Sequence, residues 1–449
     1  MCGVTGTSLS ELAAAASAGS GSTEDEQFVL LGMPDVHGSV RGKALRPQAF
    51  DDAVAHGTVM TDLLLALDPT DTPITEYSRI GLRSGAGDLV VQPDPTTLRE
   101  LAWLPGWRIC LSTPFWPDGS QCELSSREVL RGVLEQLAAQ GYESMAAFEY
   151  EIRLRDANGD PLSTGISYSL GEIARFDRFA ARLIPALELL GVELSAIHTE
   201  AGPGLLELNI AAREGLQAAD DALFVKLAVK EVAASMGLQA SFLAKTHPGE
   251  EGSSGHVHLS CWADGLNAFG AENLRDELPE PFMAAIAGVL DHLPAASLML
   301  NPTINSYKRL VPGWFAPVNA SWGLENRSCA LRAIRGDRPE RWRIECRRPG
   351  ADANPYLALA AVVGPAVDGI RRGAQPPPPI EGDASQRADL PPLPGSLESA
   401  LHAFDADQEF RRALGERFCD YYRISRAWEL SAWRETVSDW ERTRYERVV

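Results

Sequence analysis

The chain has 449 residues, which is long enough for one large catalytic domain and a smaller one. Hydrophobic residues make up 45% of it and charged residues 23%, as in a soluble globular protein. The formal net charge of −20 argues against nucleic acid or an anionic membrane as a partner, because both need a basic protein surface.

The seven cysteines are scattered and no CxxC occurs, so we expect neither a disulfide framework nor a zinc site. This cysteine usage fits the reducing cytoplasm. Residues 1–26 lack a basic start and a long apolar core, so we expect a flexible tail there rather than a signal peptide or an anchor. No later segment offers the roughly 20 uninterrupted apolar residues that a membrane span needs.

Short apolar runs alternate with turns over residues 27–115, which predicts a sheet-rich N-terminal domain. The segment REVLRGVLEQLAAQG then shows helical spacing and ends at Gly141, a typical helix stop. Strand-like and helix-like runs alternate as far as Gly364, and a proline-rich loop and C-terminal helices follow. We therefore predict a second, larger domain over residues 116–449.

Four predicted strands carry ionisable residues on one face and apolar residues on the other. In the first strand, Glu149 and Glu151 alternate with Phe148, Tyr150 and Ile152. Successive side chains of a strand point to opposite faces, so the two carboxylates share a face and repel each other unless a cation joins them. A solvated strand face is the ordinary alternative for any one such strand.

The other three strands repeat this design. A Gly-Pro-Gly turn precedes the second strand and folds the chain back between two glutamates. A single histidine on such a strand is more often structural than a metal ligand, and His-x-His is a weak metal motif alone. The ionisable or polar residues of these segments are Glu200, Glu207, Asn209, His256, His258, Ser260, Arg343, Glu345 and Arg347.

If the four strands belong to one curled sheet, their ionisable faces converge. Buried charges need partners or metals, and a set of five glutamates and one histidine suits Mg²⁺ or Mn²⁺ better than Zn²⁺. The neighbouring arginines suit phosphates and carboxylates. Carboxylate-held metals beside arginines are what phosphoryl transfer requires. No GxxxxGK[ST] occurs, so a P-loop does not supply the nucleotide site.

In their order and spacing, these segments resemble the glutamine synthetase family of the class I type. The resemblance runs from about Asp35 to the C-terminus. The matching segments are RGK, GDLVVQPDPTTL, FEYE, HTEAGPGLLELN, FLAK, GSSGHVHLS, NPTINSYKRLVPG, ENRS, RIECRRPGADANPYLA and the final WE. The resemblance implies an α+β fold with an N-terminal β-grasp-like domain and a large catalytic domain, whose curved antiparallel sheet is flanked by helices. It also implies self-association into rings, here a dodecamer, with each active site between neighbouring subunits.

The resemblance further implies a role for each site residue, with ATP as co-substrate and two or three Mg²⁺ or Mn²⁺ ions per site. The ligands of one metal are Glu151, Glu200 and Glu207, and those of the other are Glu149, His256 and Glu345. The residues that bind glutamate are Arg309, Arg347 and Gly252. The residues on the ATP and phosphate side are His258, Ser260, Arg332, Arg343 and the catalytic Arg327.

The sequence departs from the family pattern around the ammonium site. The family's flap loop reads Gly-Tyr-Glu-Ala-Pro, and its glutamate takes a proton from ammonium, but here Trp314 and Phe315 occupy the middle of a GWFAP loop. Glu251 stands where many members have asparagine. An aspartate that binds ammonium in the family corresponds roughly to Asp62. With the flap glutamate lost, Asp62 and Glu325 are the candidate proton acceptors, and a free amine drawn from solution is the alternative.

These departures favour a ligase that joins glutamate to an organic primary amine through γ-glutamyl phosphate. The family includes relatives that use polyamines, ethanolamine or other primary amines, and the aromatic loop suits an alkyl or aryl amine or a cation–π contact. The alternatives are an ammonia-using glutamine synthetase, which the lost flap glutamate disfavours, and a non-catalytic structural or regulatory protein. The complete set of metal ligands disfavours the latter.

Overall fold

The computed structural model describes residues 27–271 and 278–449, so the expected N-terminal tail lies outside the described residues. Two β-sheets organise this part of the chain, one of six strands and one of ten. The last strand of the first sheet in chain order ends at Phe115. We propose that the boundary between the two domains follows this residue.

The N-terminal sheet has the strand order β2-β1-β6-β4-β3, and β5 pairs with β6. Its elements are β1 (Phe28–Pro34), β2 (Val40–Leu45), helix α1 (Pro47–His56), β3 (Thr58–Thr61), β4 (Asp88–Pro93), β5 (Arg99–Glu100) and β6 (Trp107–Phe115). Strands β1 and β6 are parallel, and the other pairs are antiparallel. Alternate residues Val29, Leu31 and Met33 of β1 are fully buried, as the period of a strand requires.

The larger sheet has the order β14-β15-β16-β12-β7-β9-β8, with β10 and β11 on β7 and β13 on β12. Its strands are β7 (Glu143–Arg155), β8 (Leu194–Thr199), β9 (Leu205–Ile210), β10 (Arg213–Glu214), β11 (Gln239–Ser241), β12 (Gly255–Ala263), β13 (Leu266–Asn267), β14 (Trp322–Leu324), β15 (Leu331–Ile334) and β16 (Arg343–Cys346). The sequence predicts an antiparallel sheet, whereas in the structure β14 and β15 run parallel. The connection between them begins at Glu325, which has a φ of 51°.

Helices cover the apolar side of this sheet. They are α2 (Ser126–Ala139), α3 (Leu170–Ile173), α4 (Asp177–Leu189), α5 (Gly215–Ser235), α6 (Glu280–Leu300), α7 (Ser306–Arg309), α8 (Pro355–Arg372), α9 (Leu397–Ala406), α10 (Gln408–Leu414), α11 (Glu416–Glu435) and α12 (Asp439–Tyr445). The predicted helix before Gly141 is confirmed as α2, and the predicted C-terminal helices are confirmed as α9 to α12.

Helices α6 and α8 form the centre of the helical layer. They approach so closely that a Cβ atom on Gly288 would lie 2.1 Å from the carbonyl oxygen of Pro365, and one on Gly369 would lie 2.0 Å from that of Ala284. Helix α6 is the one helix of the described ranges that is long and apolar enough to cross a membrane. However, 83% of its most apolar 18-residue stretch is buried inside the protein.

A buried histidine ties three of these helices together. His292 on α6 places Nδ1 at 2.7 Å from Asp407, which begins α10, and Nε2 at 3.2 Å from Asp368 on α8. Carboxylates only accept hydrogen bonds, so both ring nitrogens donate and the imidazole is charged. Burial alone would lower the pKa of His292, but the hydrogen bonds to Asp407 and Asp368 raise it above 6.5.

We expect His292→Gln to lower the free energy of unfolding by about 2 kcal/mol in mildly acidic solution. Because the folded-state pKa lies above the unfolded value, this stabilisation is complete below pH 6.5 and is lost as the pH rises through the folded-state pKa. Denaturant titrations at increasing pH should show the free energies of unfolding of the wild-type and variant proteins converging. His402→Gln, at an exposed position on α9, is the control. A difference that stays constant with pH would contradict the assignment.

Candidate active site

The central strands of the larger sheet place the predicted ionisable faces side by side. Across β7 and β9, Glu151 pairs with Glu207, and across β7 and β12, Glu149 pairs with His256. Across β12 and β16, His258 pairs with Glu345. Directly opposed residues lie on the same face with Cβ atoms about 5 Å apart, so the four strands carry one continuous polar surface.

This surface lines a cavity of about 680 Å³. The predicted site residues on its wall are Glu149, Glu151, Glu200, Glu207, Gly252, His256, Arg309, Trp314, Phe315, Arg327, Arg332, Glu345 and Arg347. An adjoining cavity of about 690 Å³ is lined by the predicted nucleotide-side residues His258, Ser260 and Arg343, and it shares Glu149 with the first. Two neighbouring compartments therefore meet at Glu149.

Two groups of side chains in the cavity have the spacing of metal ligands. In the first, His256 Nδ1 lies 3.4 Å from Glu149 and 3.5 Å from Glu345. In the second, His198 Nε2 lies 2.9 Å from Glu200 and 3.6 Å from Glu207. Within each group, all ligand atoms lie within 4.8 Å of one another.

The second group differs from the predicted set of Glu151, Glu200 and Glu207. His198 joins this group, whereas Glu151 lies across the strand pair from Glu207 and accepts a 2.7 Å hydrogen bond from the backbone N–H of Ser254. His198 is not among the site residues predicted from the sequence. Its place two residues before Glu200, on the same strand face, could have identified it.

The two groups differ in charge balance. Burial together with the nearby carboxylates of Glu149 and Glu151 raises the pKa of Glu207 to about 8. Burial would also raise the pKa of Glu345, but the charges of Arg347 and of the two cavity histidines lower it to about 2. Without a bound metal ion, Glu207 is therefore expected to keep its proton at neutral pH.

The residues present fit divalent cations. Carboxylate oxygens predominate in both groups, which suits Mg²⁺ or Mn²⁺. Nε2 of the buried His256 has no hydrogen-bond partner among the described residues. A bound metal ion would neutralise the repulsion that keeps Glu207 protonated.

Arg309 forms the floor of the cavity and is 2% exposed. It donates to the carbonyl oxygen of Arg348 at 3.0 Å and to Ser254 Oγ at 2.9 Å, and no carboxylate of the described chain pairs with it. Burial lowers its pKa to about 10. A Cβ atom on Gly252 would lie 2.5 Å from Arg309 Cγ, so only glycine allows this approach. The arrangement suits an anionic substrate.

Trp314 and Phe315 close one side of the cavity. Phe315 has a φ of 53°, a conformation that bulky residues rarely adopt, and its side chain is 60% exposed. Lys245 Nζ lies 4.2 Å from the ring centroid of Trp314, so the indole already carries a cation on its face. Tyr168, another residue on the wall, stacks on His198 with ring centroids 4.2 Å apart. The cavity wall therefore carries aromatic side chains as well as carboxylates.

The two candidate proton acceptors do not line this cavity in their own subunit. Asp62 is 5% exposed and accepts hydrogen bonds from the backbone N–H of Gly81 and from Ser84. Glu325 accepts 2.8 Å hydrogen bonds from Arg332 and from the backbone N–H of Arg335. A role for Asp62 requires the site of a neighbouring subunit and stays a prediction.

The family model for the glutamine synthetase catalytic domain matches residues 123–445. The chain is 34% identical over 439 residues to the gamma-glutamylethanolamide synthetase of Streptomyces coelicolor, and the match covers 94% of both chains. It is 33% identical over 442 residues to the glutamine synthetase of Thermus thermophilus, covering 94% of this chain and 96% of that one. The solved complex of GmaS with ADP aligns with a TM-score of 0.84 at 26% identity, over 97% of this chain and 99% of that one.

The chain therefore belongs to the glutamine synthetase family and has its α+β fold, as expected from the sequence. It is an ATP-dependent carbon–nitrogen ligase that acts on glutamate. Nearly equal identities to an ethanolamide synthetase and to a glutamine synthetase leave the nitrogen donor to be argued from the site.

We expect Mn²⁺ binding to the metal-free protein at neutral pH to release protons. Glu207 must lose its proton to become a ligand, and so must His198, whose pKa is raised, despite burial, by its hydrogen bond to Glu200 and by the charge of Glu207. Calorimetric titration in buffers of different ionisation enthalpy measures this release. Glu207→Gln should bind Mn²⁺ more weakly and release fewer protons than the wild-type protein. Binding heats that are independent of the buffer would contradict the protonation assigned to Glu207.

Proposed function

We propose that the chain forms a γ-glutamyl amide from glutamate and an organic primary amine, through γ-glutamyl phosphate. The observation that carries this proposal is Phe315, an aromatic side chain on the loop where family members have a glutamate. It lies with Trp314 on the same cavity as both groups of candidate metal ligands. Similarity to an ethanolamide synthetase supports it.

In this proposal, the metal ligands are the six predicted residues together with His198, and they hold two or three Mg²⁺ or Mn²⁺ ions. When bound there, such ions would supply the positive charge that phosphoryl transfer from ATP to the γ-carboxylate of glutamate requires. Arg309 and Arg347 bind the carboxylates of glutamate, with Gly252 giving Arg309 room. Arg327 stabilises the phosphoryl group in transfer. The residues of the ATP side are His258, Ser260, Arg332 and Arg343.

Apolar contact explains why an organic amine would be preferred to ammonia. Phe315 presents no carboxylate to capture a small cation. Its ring and that of Trp314 instead offer area worth about 25 cal/mol per Å² buried, or roughly 0.8 kcal/mol per methylene of the amine. A few methylenes would thus favour the larger amine by well over tenfold, since about 1.4 kcal/mol corresponds to a factor of ten.

We also propose that the chain assembles into a dodecameric ring in the cytoplasm, with residues 41–68 completing the site of a neighbour. This assembly would place Asp62 near a second cavity. Sedimentation of the purified protein tests it, and a fully active monomer would contradict it.

Replacing Phe315 with glutamate should restore a charged acceptor and remove the apolar contact. We expect the ratio of kcat/KM for the best organic amine to kcat/KM for ammonia to fall at least about tenfold in Phe315→Glu. Phosphate release from ATP and glutamate, measured across ammonia and a panel of alkyl, aryl, hydroxyalkyl and polyamine donors, supplies these values.

Phe315→Gln is the matched control, since it removes the ring without adding a charge. It should lose activity with organic amines and gain none with ammonia. If the wild-type protein prefers ammonia to every amine of the panel, the chain is a glutamine synthetase and the role given to Phe315 is wrong.

A further inference from the structure

One carboxylate on the cavity wall belongs to neither group of candidate metal ligands and has no hydrogen-bond donor. Glu251 lines the cavity together with Trp314 and Phe315. Within the described ranges, no side chain or backbone N–H donates to its carboxylate. By contrast, the ungrouped Glu151 accepts a hydrogen bond from the backbone of Ser254.

The backbone of Glu251 is nevertheless firmly held. Its carbonyl oxygen accepts a hydrogen bond from Arg153, a side chain that is 1% exposed. Arg153 also pairs with Glu250 at 3.1 Å and donates to the carbonyl oxygen of Pro203 at 2.8 Å. The next residue, Gly252, packs directly against Arg309. The backbone of Glu251 is therefore fixed, while its carboxylate oxygens have no hydrogen-bond donor among the described residues.

The surroundings of Glu251 make it a stronger base than an exposed glutamate. Burial, followed by the negative charges of Glu151 and Glu200, raises its pKa, while Arg153 and Lys245 act in the opposite direction. Lys245 in turn lies over the ring of Trp314. A positive charge is thus already accommodated beside both Glu251 and the aromatic wall, where the proposed function requires an ammonium group.

We propose that Glu251 binds the ammonium group of the incoming nitrogen donor and accepts its proton. The identity of the amine in this inference rests on the proposed function, whereas the need for a proton acceptor does not. Phe315 cannot serve, and Glu325 is held by Arg332 and the Arg335 backbone. The carboxylate of Asp62, on either subunit, is buried and accepts hydrogen bonds from the backbone N–H of Gly81 and from Ser84.

The reaction balances with one base. Alkylamines have pKa values near that of lysine, about 10.4, so they arrive protonated at neutral pH. One N–H proton passes to an Oε of Glu251, and the freed lone pair attacks the γ-carbonyl carbon. The new C–N bond forms while the C–O bond to phosphate breaks and the phosphate leaves with its electron pair. The second proton on nitrogen then passes to the departing phosphate, which gives the amide and hydrogen phosphate.

Hydroxylamine as nitrogen donor distinguishes a proton acceptor from a residue needed for folding or for acyl phosphate formation. It is largely neutral at neutral pH and needs no base before it attacks. We expect Glu251→Gln to lower kcat/KM for an alkylamine and for ammonia by about 100-fold or more, as for the loss of a general base. Formation of γ-glutamyl hydroxamate from hydroxylamine should fall less than about threefold. In the variant, kcat/KM for the alkylamine should also rise about tenfold per pH unit with the free-amine fraction, whereas the wild-type profile should be flat once Glu251 is ionised.

Hydroxamate formation also shows that the variant is folded and makes the acyl phosphate. Glu251→Asp, which keeps a carboxylate, should recover part of the alkylamine activity, and Glu188→Gln, at an exposed carboxylate on α4, should leave all three reactions unchanged. If Glu251→Gln loses hydroxamate formation as severely as alkylamine turnover, or loses neither, the proposal is overturned. The preference of the wild-type protein between ammonia and alkylamine tests the proposed function separately.

Discussion

Mutual repulsion among the carboxylates on the concave face of the larger sheet is the constraint on which the site depends. Five glutamates on β7, β9, β16 and the end of β8 face one cavity. Arg347 and Arg332 compensate Glu345 on one side, whereas Glu207 on the other side keeps a proton because burial and neighbouring carboxylates raise its pKa. Divalent cations complete this balance, which explains how a folded chain tolerates so much negative charge in one place.

The same constraint made much of the site predictable from sequence. A strand that alternates apolar and ionisable residues must bury one face and direct the other toward something charged, and β7, β9, β12 and β16 all do so. Strand direction is not encoded in this alternation, so the parallel pairing of β14 and β15 could not be predicted. Spacing along the chain places His198 on the same strand face as Glu200, but the grouping of both with Glu207 also depends on how far each side chain reaches.

The cavity wall combines charged side chains with aromatic ones. Its glutamates, histidines and arginines suit phosphoryl transfer to glutamate, the chemistry that the family shares. Three residues of the wall depart from the family pattern, namely Trp314 and Phe315 on the loop and Glu251 beside Gly252. In the proposed function, the loop position lacks a carboxylate and one stands next to Gly252, which would keep a proton acceptor while leaving space for an alkyl group. Selectivity for the amine and capture of its proton would then reside on different residues.

A competition between nitrogen donors tests the central claim most directly. Wild-type protein is incubated with glutamate, ATP, Mg²⁺ and equal concentrations of ammonia and one organic amine at a time, and the products are quantified by mass spectrometry. The account predicts that, for at least one amine, the γ-glutamyl amide exceeds glutamine by more than about tenfold, as the burial of a few methylenes implies. Glutamine as the dominant product against every amine would contradict it.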